Sequence, residues 1–183
     1  MLKAFPPRLL GTQKGTLCSR DAQILHFQNG SEYKQLVLSP STLDTDLQTT
    51  FIRAGLSTYF RYVTLSHRRG KFELLLRDVE KRDIYDLTGT DGLLKLQSFC
   101  LACCRYGYLW AWSDTCCIDM ESSAELQEAI GSMFSWYRQS ALTMVYLPDL
   151  LDTGPLSIIE WFKRGWTLQE LLAPRNMLFF ARD

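Results

Sequence analysis

Glu170 stands four residues after Trp166 in the segment RGWTLQELLAP, Arg164 to Pro174, a carboxylate with an aromatic neighbour about one helical turn away. Ser66-His67-Arg68 sets a hydroxyl, an imidazole and a guanidinium side by side, and Asp114 and Asp119 bracket Cys116-Cys117. Gathered at one edge, these groups make a polar, aromatic-rimmed ligand site. The cysteines raise a second chemistry, zinc. Cys100, Cys103 and Cys104 fall on one predicted helix and Cys116-Cys117 are adjacent, unlike the C-x-x-C…C-x-x-C spacing of a zinc ribbon. They read as buried free thiols, and with two histidines in the chain no metal is expected. Each polar candidate also has a plain structural role. Thr167 and Glu170 have the spacing of a capping box. Asp114 and Asp119 can close their loop by side-chain-to-backbone hydrogen bonds, and His67 has no evident acid partner in sequence.

The elements that must position these residues follow from periodicity. After the capping-box spacing, Leu168, Leu171 and Leu172 form the apolar side of a short helix that Pro174 ends. NMLFFA, residues 176–181, then reads as a strand. Three further strands are predicted: RYVTLS (61–66), YLWAWS (108–113) and ALTMVYL (141–147). Between them, Leu93, Leu96, Cys100 and Cys103 mark a helix that Asp91 is placed to cap. Ser122 and Glu125 open another, whose stripe is Leu126, Ile130, Met133 and Tyr137 and which runs to about Gln139. Ser157 and Glu160 repeat the spacing before IIEWF, while Phe72 to Asp86 mixes helix formers with a charged face. Strands alternating with helices predict an α/β fold, a parallel sheet flanked by helices. Ligands of such sheets bind off the carboxyl ends of the strands. That rule puts Ser66, His67, Arg68, Asp114, Asp119, Asp149, Trp166 and Glu170 on one rim. Upstream, residues 1–20 look irregular. Ile24–Phe27 and Gln35–Leu38 flank Asn29-Gly30 as a predicted hairpin, and a short helix is expected over Leu43–Gly55. The division is an N-terminal extension with a hairpin over residues 1–58 and a domain over 59–183.

Composition narrows the function. Hydrophobic residues are 46% of the chain, enough for a real core, and Lys+Arg balances Asp+Glu at 20 each, so nothing favours nucleic acid or an anionic membrane. No apolar run reaches the ~20 residues of a membrane span, and the N-terminus lacks a signal peptide's apolar stretch. A cytoplasmic protein with reduced thiols is expected. Trp110, Trp112, Trp136 and Trp161 are expected in the core or an interface.

YLWAWSDTCCIDMESSAELQEAIGSMFSWYRQSALTMVYLPDL, followed by RGWTLQELLAP and an apolar strand, resembles the fungal heterokaryon-incompatibility (HET) domain over about Tyr59 to Asp183. The family pattern of a strand ending Ser-His-x-Trp reads Ser66-His67-Arg68-Arg69 here, with arginine in the tryptophan's place. The resemblance implies a Toll/interleukin-receptor (TIR), flavodoxin-like architecture, from which the chain lacks a final helix and strand, as a truncated gene product would. RGWTLQEL is similar to the Trp-Cys-Leu-x-Glu-Leu segment of plant TIR domains, whose glutamate is required for NAD cleavage. By that likeness Glu170 is the catalytic candidate, NAD the substrate rather than a resident cofactor, and Ser66, His67, Arg68, Asp114, Asp119 and Trp166 its binding residues, Arg68 meeting the pyrophosphate. Implied with this are non-self recognition, programmed cell death, homotypic self-association and an upstream recognition protein. The alternatives are a non-catalytic homotypic assembly module and a degenerate copy.

Overall fold

The structure, a computed structural model, describes residues 4–37, 45–148 and 160–181. Its first elements are two four-residue strands, β1 (Arg8–Gly11) and β2 (Thr16–Ser19), paired antiparallel from Arg8↔Ser19 to Gly11↔Thr16. A hairpin is therefore present, but within the stretch read as irregular. The predicted hairpin around Asn29-Gly30 is instead a break between two helices, α1 (Arg20–Asn29) and α2 (Ser31–Val37). Ser19 caps α1 by accepting the Ala22 amide proton, and the Gly30 amide closes it on the Phe27 carbonyl. Asn-Gly here ends a helix, a role it fills as readily as a turn. Helix α3 (Thr45–Tyr59) covers most of the helix expected over Leu43–Gly55 and runs four residues past it.

The four predicted parallel strands are all present. They are β3 (Tyr62–His67), β4 (Trp110–Trp112), β5 (Leu142–Leu147) and β6 (Met177–Ala181). The sheet order is β2-β1-β4-β3-β5-β6, with β4, β3, β5 and β6 parallel and β1 joined antiparallel to β4 through Leu10↔Ala111. The N-terminal hairpin thus extends the same sheet. β3 is central and buried at every residue, which is why its β-branched and apolar run lacks alternation.

Between β3 and β4 the charged stretch forms one turn of helix, α4 (Leu76–Val79), and a 3-10 turn at Ile84–Asp86. Helix α5 (Asp91–Arg105) follows, and its cap is Thr90 rather than Asp91. Thr90 Oγ1 accepts the Leu93 amide at 3.2 Å, while Asp91 lies in the first turn, where its charge favours the helix dipole. The helix ends on Gly107 at φ 75°, with Gly107 N donating to Cys104 O and Tyr108 N to Cys103 O, a Schellman ending. DTCC after β4 is a helical turn, α6 (Asp114–Cys117), instead of a loop. In α7 (Ser123–Gln139) Ser122 accepts the Glu125 amide as predicted. Glu125 itself reaches the Asp119 amide and Arg8 rather than closing the box. A 3-10 turn at Glu160–Lys163 leads to α8 (Thr167–Leu172). Asp149 and Ser157 lie outside the described residues.

Face by face, Tyr62, Thr64 and Ser66 point toward α7 and α8. Tyr62 donates its hydroxyl to the Trp136 carbonyl, and Thr64 bonds Thr143 across the strands at 2.6 Å. On the opposite face, His67 meets Lys95 of α5. Trp110, Trp112, Trp136 and Trp161 are all buried, as expected. Cys100, Cys103, Cys116 and Cys117 are buried free thiols, whereas Cys104 is exposed. Among the described residues no group of His, Cys, Asp and Glu could hold a metal, and no helix is long and apolar enough to cross a membrane.

Candidate functional site

β3 ends in Ser66 and His67, and strand alternation sends the two side chains to opposite faces of the sheet. Each meets an ionic cluster. On the α8 side, Ser66 Oγ donates to Glu170 Oε2 at 2.5 Å and accepts from Trp161 Nε1 at 2.8 Å. Arg164 closes on the same carboxylate bidentately, Nη1 to Oε2 at 3.0 Å and Nη2 to Oε1 at 2.9 Å. Glu170 is 3% exposed. The capping-box expectation fails here. Thr167 Oγ1 donates to the Trp161 carbonyl at 2.5 Å, and Glu170 turns into the protein rather than back to the residue 167 amide. A charged group this deep costs several kcal/mol unless paired, and Arg164 supplies the pairing, with the Ser66 hydroxyl adding one more hydrogen bond.

On the α5 side, His67 is buried between Asp114 and Lys95. Its Nε2 is 3.4 Å from Asp114 Oδ1, too loosely aligned to count as a hydrogen bond, and its Nδ1 is 2.7 Å from Lys95 Nζ. Lys95 also donates to Glu73, and Arg69 to Asp114 at 2.9 Å. The same Nδ1 is 3.1 Å from the Arg68 carbonyl oxygen, so it faces a donor and an acceptor at once, while Nε2 faces Asp114. Burial works to raise the Asp114 carboxyl, but His67 and Arg69 outweigh it and hold Asp114 well below the usual carboxylate range. Glu73 goes the same way: burial raises it, and His67, Lys95 and the Gly70 amide together lower it. Lys95 is lowered, chiefly by burial, with Glu73 opposing and Arg164 adding repulsion. That repulsion, and the action of both Glu170 and Asp114 on the buried Tyr137 hydroxyl, ties the two clusters across the strand end.

The predicted residues therefore divide. Ser66 and Glu170 meet directly, and His67 meets Asp114. Asp119 is apart from both clusters; its carboxylate accepts the Glu121 amide and its own amide binds Glu125, the loop-closing role. Trp166 is 43% exposed, and its carbonyl accepts the Gln169 and Glu170 amides at the start of α8. Arg68 is exposed and lines a groove of about 810 Å³ on the α5 face, away from Glu170. Reasoning from sequence passed over Arg164, Trp161, Glu73 and Lys95. Arg164 and Glu170 are six residues apart, off any helical spacing. Lys95 and Glu73 belong to segments whose meeting depends on how α5 packs on the sheet.

The clusters have the make-up of a site that binds an anionic, hydroxyl-bearing ligand: guanidinium groups, a buried carboxylate, and a buried imidazole between charged neighbours. Comparison with known proteins bears on whose site this is. A family model described as heterokaryon incompatibility protein (HET) matches residues 62–157, which runs from the start of β3 past the end of β5. The vegetative incompatibility protein HET-E-1 of Podospora anserina is 41% identical over 135 residues, covering 67% of this chain and 10% of that protein, so the chain spans about a tenth of its relative's length. No solved structure matches. The matched stretch holds β3, the His67–Asp114 pair and Ser66, and at that identity and coverage the chain belongs to the heterokaryon incompatibility (HET) family.

Proposed function

We propose that this chain acts in fungal non-self recognition ending in programmed cell death, and that it does so by hydrolysing NAD at a TIR-like site on the carboxyl edge of its sheet. The observation that carries the reading is the meeting of Glu170, from α8, with Ser66 at the end of the central strand, one residue from the His67–Asp114 pair. Cleavage of the nicotinamide–ribose bond passes through an oxocarbenium-like sugar. A fixed carboxylate can orient the ribose hydroxyls and stabilise the developing positive charge. Neutral nicotinamide leaves with the bonding electrons, water adds to the sugar carbon, and a proton is released with ADP-ribose. Arg164 sets the condition: it occupies both carboxylate oxygens and must turn away before Glu170 can face a ribose. The pyrophosphate of a dinucleotide offers that guanidinium another anion. Self-association in the cytoplasm, driven by an upstream recognition protein, is the activating event in this reading.

A second reading, a non-catalytic homotypic module, is favoured by the same bidentate pair, which leaves Glu170 saturated and buried. Nicotinamide release by purified protein, clustered on a multivalent scaffold, separates the two. Under the first reading the wild type turns over NAD, Glu170→Gln loses at least a hundredfold, and Arg164→Ala changes the rate while keeping Glu170-dependence. If the clustered wild type leaves NAD intact and Glu170→Gln remains as toxic as wild type on overexpression, the enzyme reading fails and the assembly reading stands.

A further inference from the structure

A parallel sheet is stable with both faces covered, and here the two faces of β5 and β6 are treated differently. On the α8 side, Val145 and Leu147 pack under the fully buried Trp161. On the α5 side, Tyr146, Leu178 and Phe180 are only half-buried and form, with Met144, the floor of the 810 Å³ groove. α5 is one wall, and it presents large apolar side chains outward: Leu94 is 55% exposed, Leu101 47% and Tyr106 58%. Phe72, at 68%, stands at the same opening. Floor and wall make one continuous apolar surface, of the kind that marks a protein contact.

We infer that this groove is a docking site for an amphipathic helix of a partner protein, with an apolar stripe against β5 and β6 and acidic residues beside it. The charge on the rim selects the acidic partner. Arg68, Lys71 and Arg105 are exposed there, and no ion pair is formed by any of the three among the described residues. Lys95 deeper in is already satisfied by Glu73, and the exposed acid at the groove is Asp91. The shape selects a helix over a small molecule. Small ligands are mostly enclosed by their sites, whereas this floor is two strands wide and open to solvent. A helix laid on it covers the face that the described residues leave open and meets the wall residues at helical spacing. The site lies on the face opposite Glu170, so it does not depend on the nucleotide reading.

The test uses the full chain and two designed helical peptides with the same leucine stripe, one flanked by glutamates and one by lysines. Fluorescence anisotropy at low salt is expected to show the acidic peptide binding at least tenfold tighter, with the preference reversed in the Lys71→Glu/Arg105→Glu double variant. Leu101→Asp should abolish binding of both peptides, and exposed as it is, it leaves thermal unfolding unchanged. Hydrogen exchange should place new protection on residues 177–181. Equal affinity for the two peptides, protection elsewhere, displacement of the acidic peptide by adenine nucleotide, or self-association of the chain through this face in its place would each overturn the proposal.

Discussion

Glu170 is the residue on which a catalytic and a structural account make different stability predictions. Its carboxylate receives three charge-assisted or hydroxyl hydrogen bonds within a buried pocket. Glu170→Ala leaves the Arg164 guanidinium without a counter-charge and Ser66 without its acceptor. Breaking a buried pair from one side costs about 3–5 kcal/mol, and the part-exposure of Arg164 puts this case near the lower figure. Glu170→Gln keeps an acceptor for Ser66 and loses the charge, for which about 1–2 kcal/mol is expected. Urea unfolding measures both. A loss below about 0.5 kcal/mol for the alanine variant, the range of ordinary surface changes, means that the pocket is not formed as described.

At the scale of elements, α5 is positioned by a contact with no room to give. A Cβ on Gly92 would lie 2.2 Å from the Phe72 carbonyl oxygen and 3.1 Å from Glu73 Cα, both backbone atoms. Gly92→Ala must therefore push the first turn of α5 away from the segment that carries Glu73. Overpacking of this kind costs about 1–3 kcal/mol, and calorimetry should show a lower melting temperature. Melting equal to wild type would mean that α5 docks elsewhere. This dependence on packing also explains what was legible in the sequence. The strands Tyr62–His67, Trp110–Trp112, Leu142–Leu147 and Met177–Ala181 could be read because buried parallel strands are runs of β-branched and aromatic residues. Arg8–Gly11 and Thr16–Ser19 could not, being four residues each and fixed by a partner about a hundred positions away, at Ala111. Glu170 was identifiable as a rim residue from topology, but its contact with Ser66 spans 104 positions and Arg164 sits off any repeat. The Thr167–Glu170 spacing misled for a related reason. Tertiary partners, the Trp161 carbonyl and the Arg164 guanidinium, outcompeted the local capping bonds.

Across the whole molecule, acidic and basic residues balance, yet their buried members collect at one edge of the sheet, while the apolar core runs through the rest. The two regions should respond differently to acid. Asp114 and Glu73 are held below their ordinary values in the fold, so near pH 4 the unfolded chain binds more protons than the folded one. Their contribution is complete above the unfolded values of about 3.9 and 4.3, and is lost as pH falls from there through the lower folded values. Protonation of Asp114 releases Arg69 and the Nε2 side of His67, and protonation of Glu73 releases Lys95 and the Nδ1 side of the same ring. The β1–β2 ladder carries no carboxylate of its own; the acids that touch it are Asp83, which accepts from Thr16, and Glu125, which pairs with Arg8. Hydrogen exchange compared at pH 3 and pH 6, corrected for intrinsic rates, should therefore show residues 66–73 and 113–117 losing protection while Leu9 and Leu10 keep theirs. Asp114→Asn should flatten the pH dependence at 66–73 by removing the depressed group. Uniform loss across both regions would mean that the ionic edge and the apolar core unfold as one unit, and that the charges at the sheet's mouth are not separable from the fold that carries them.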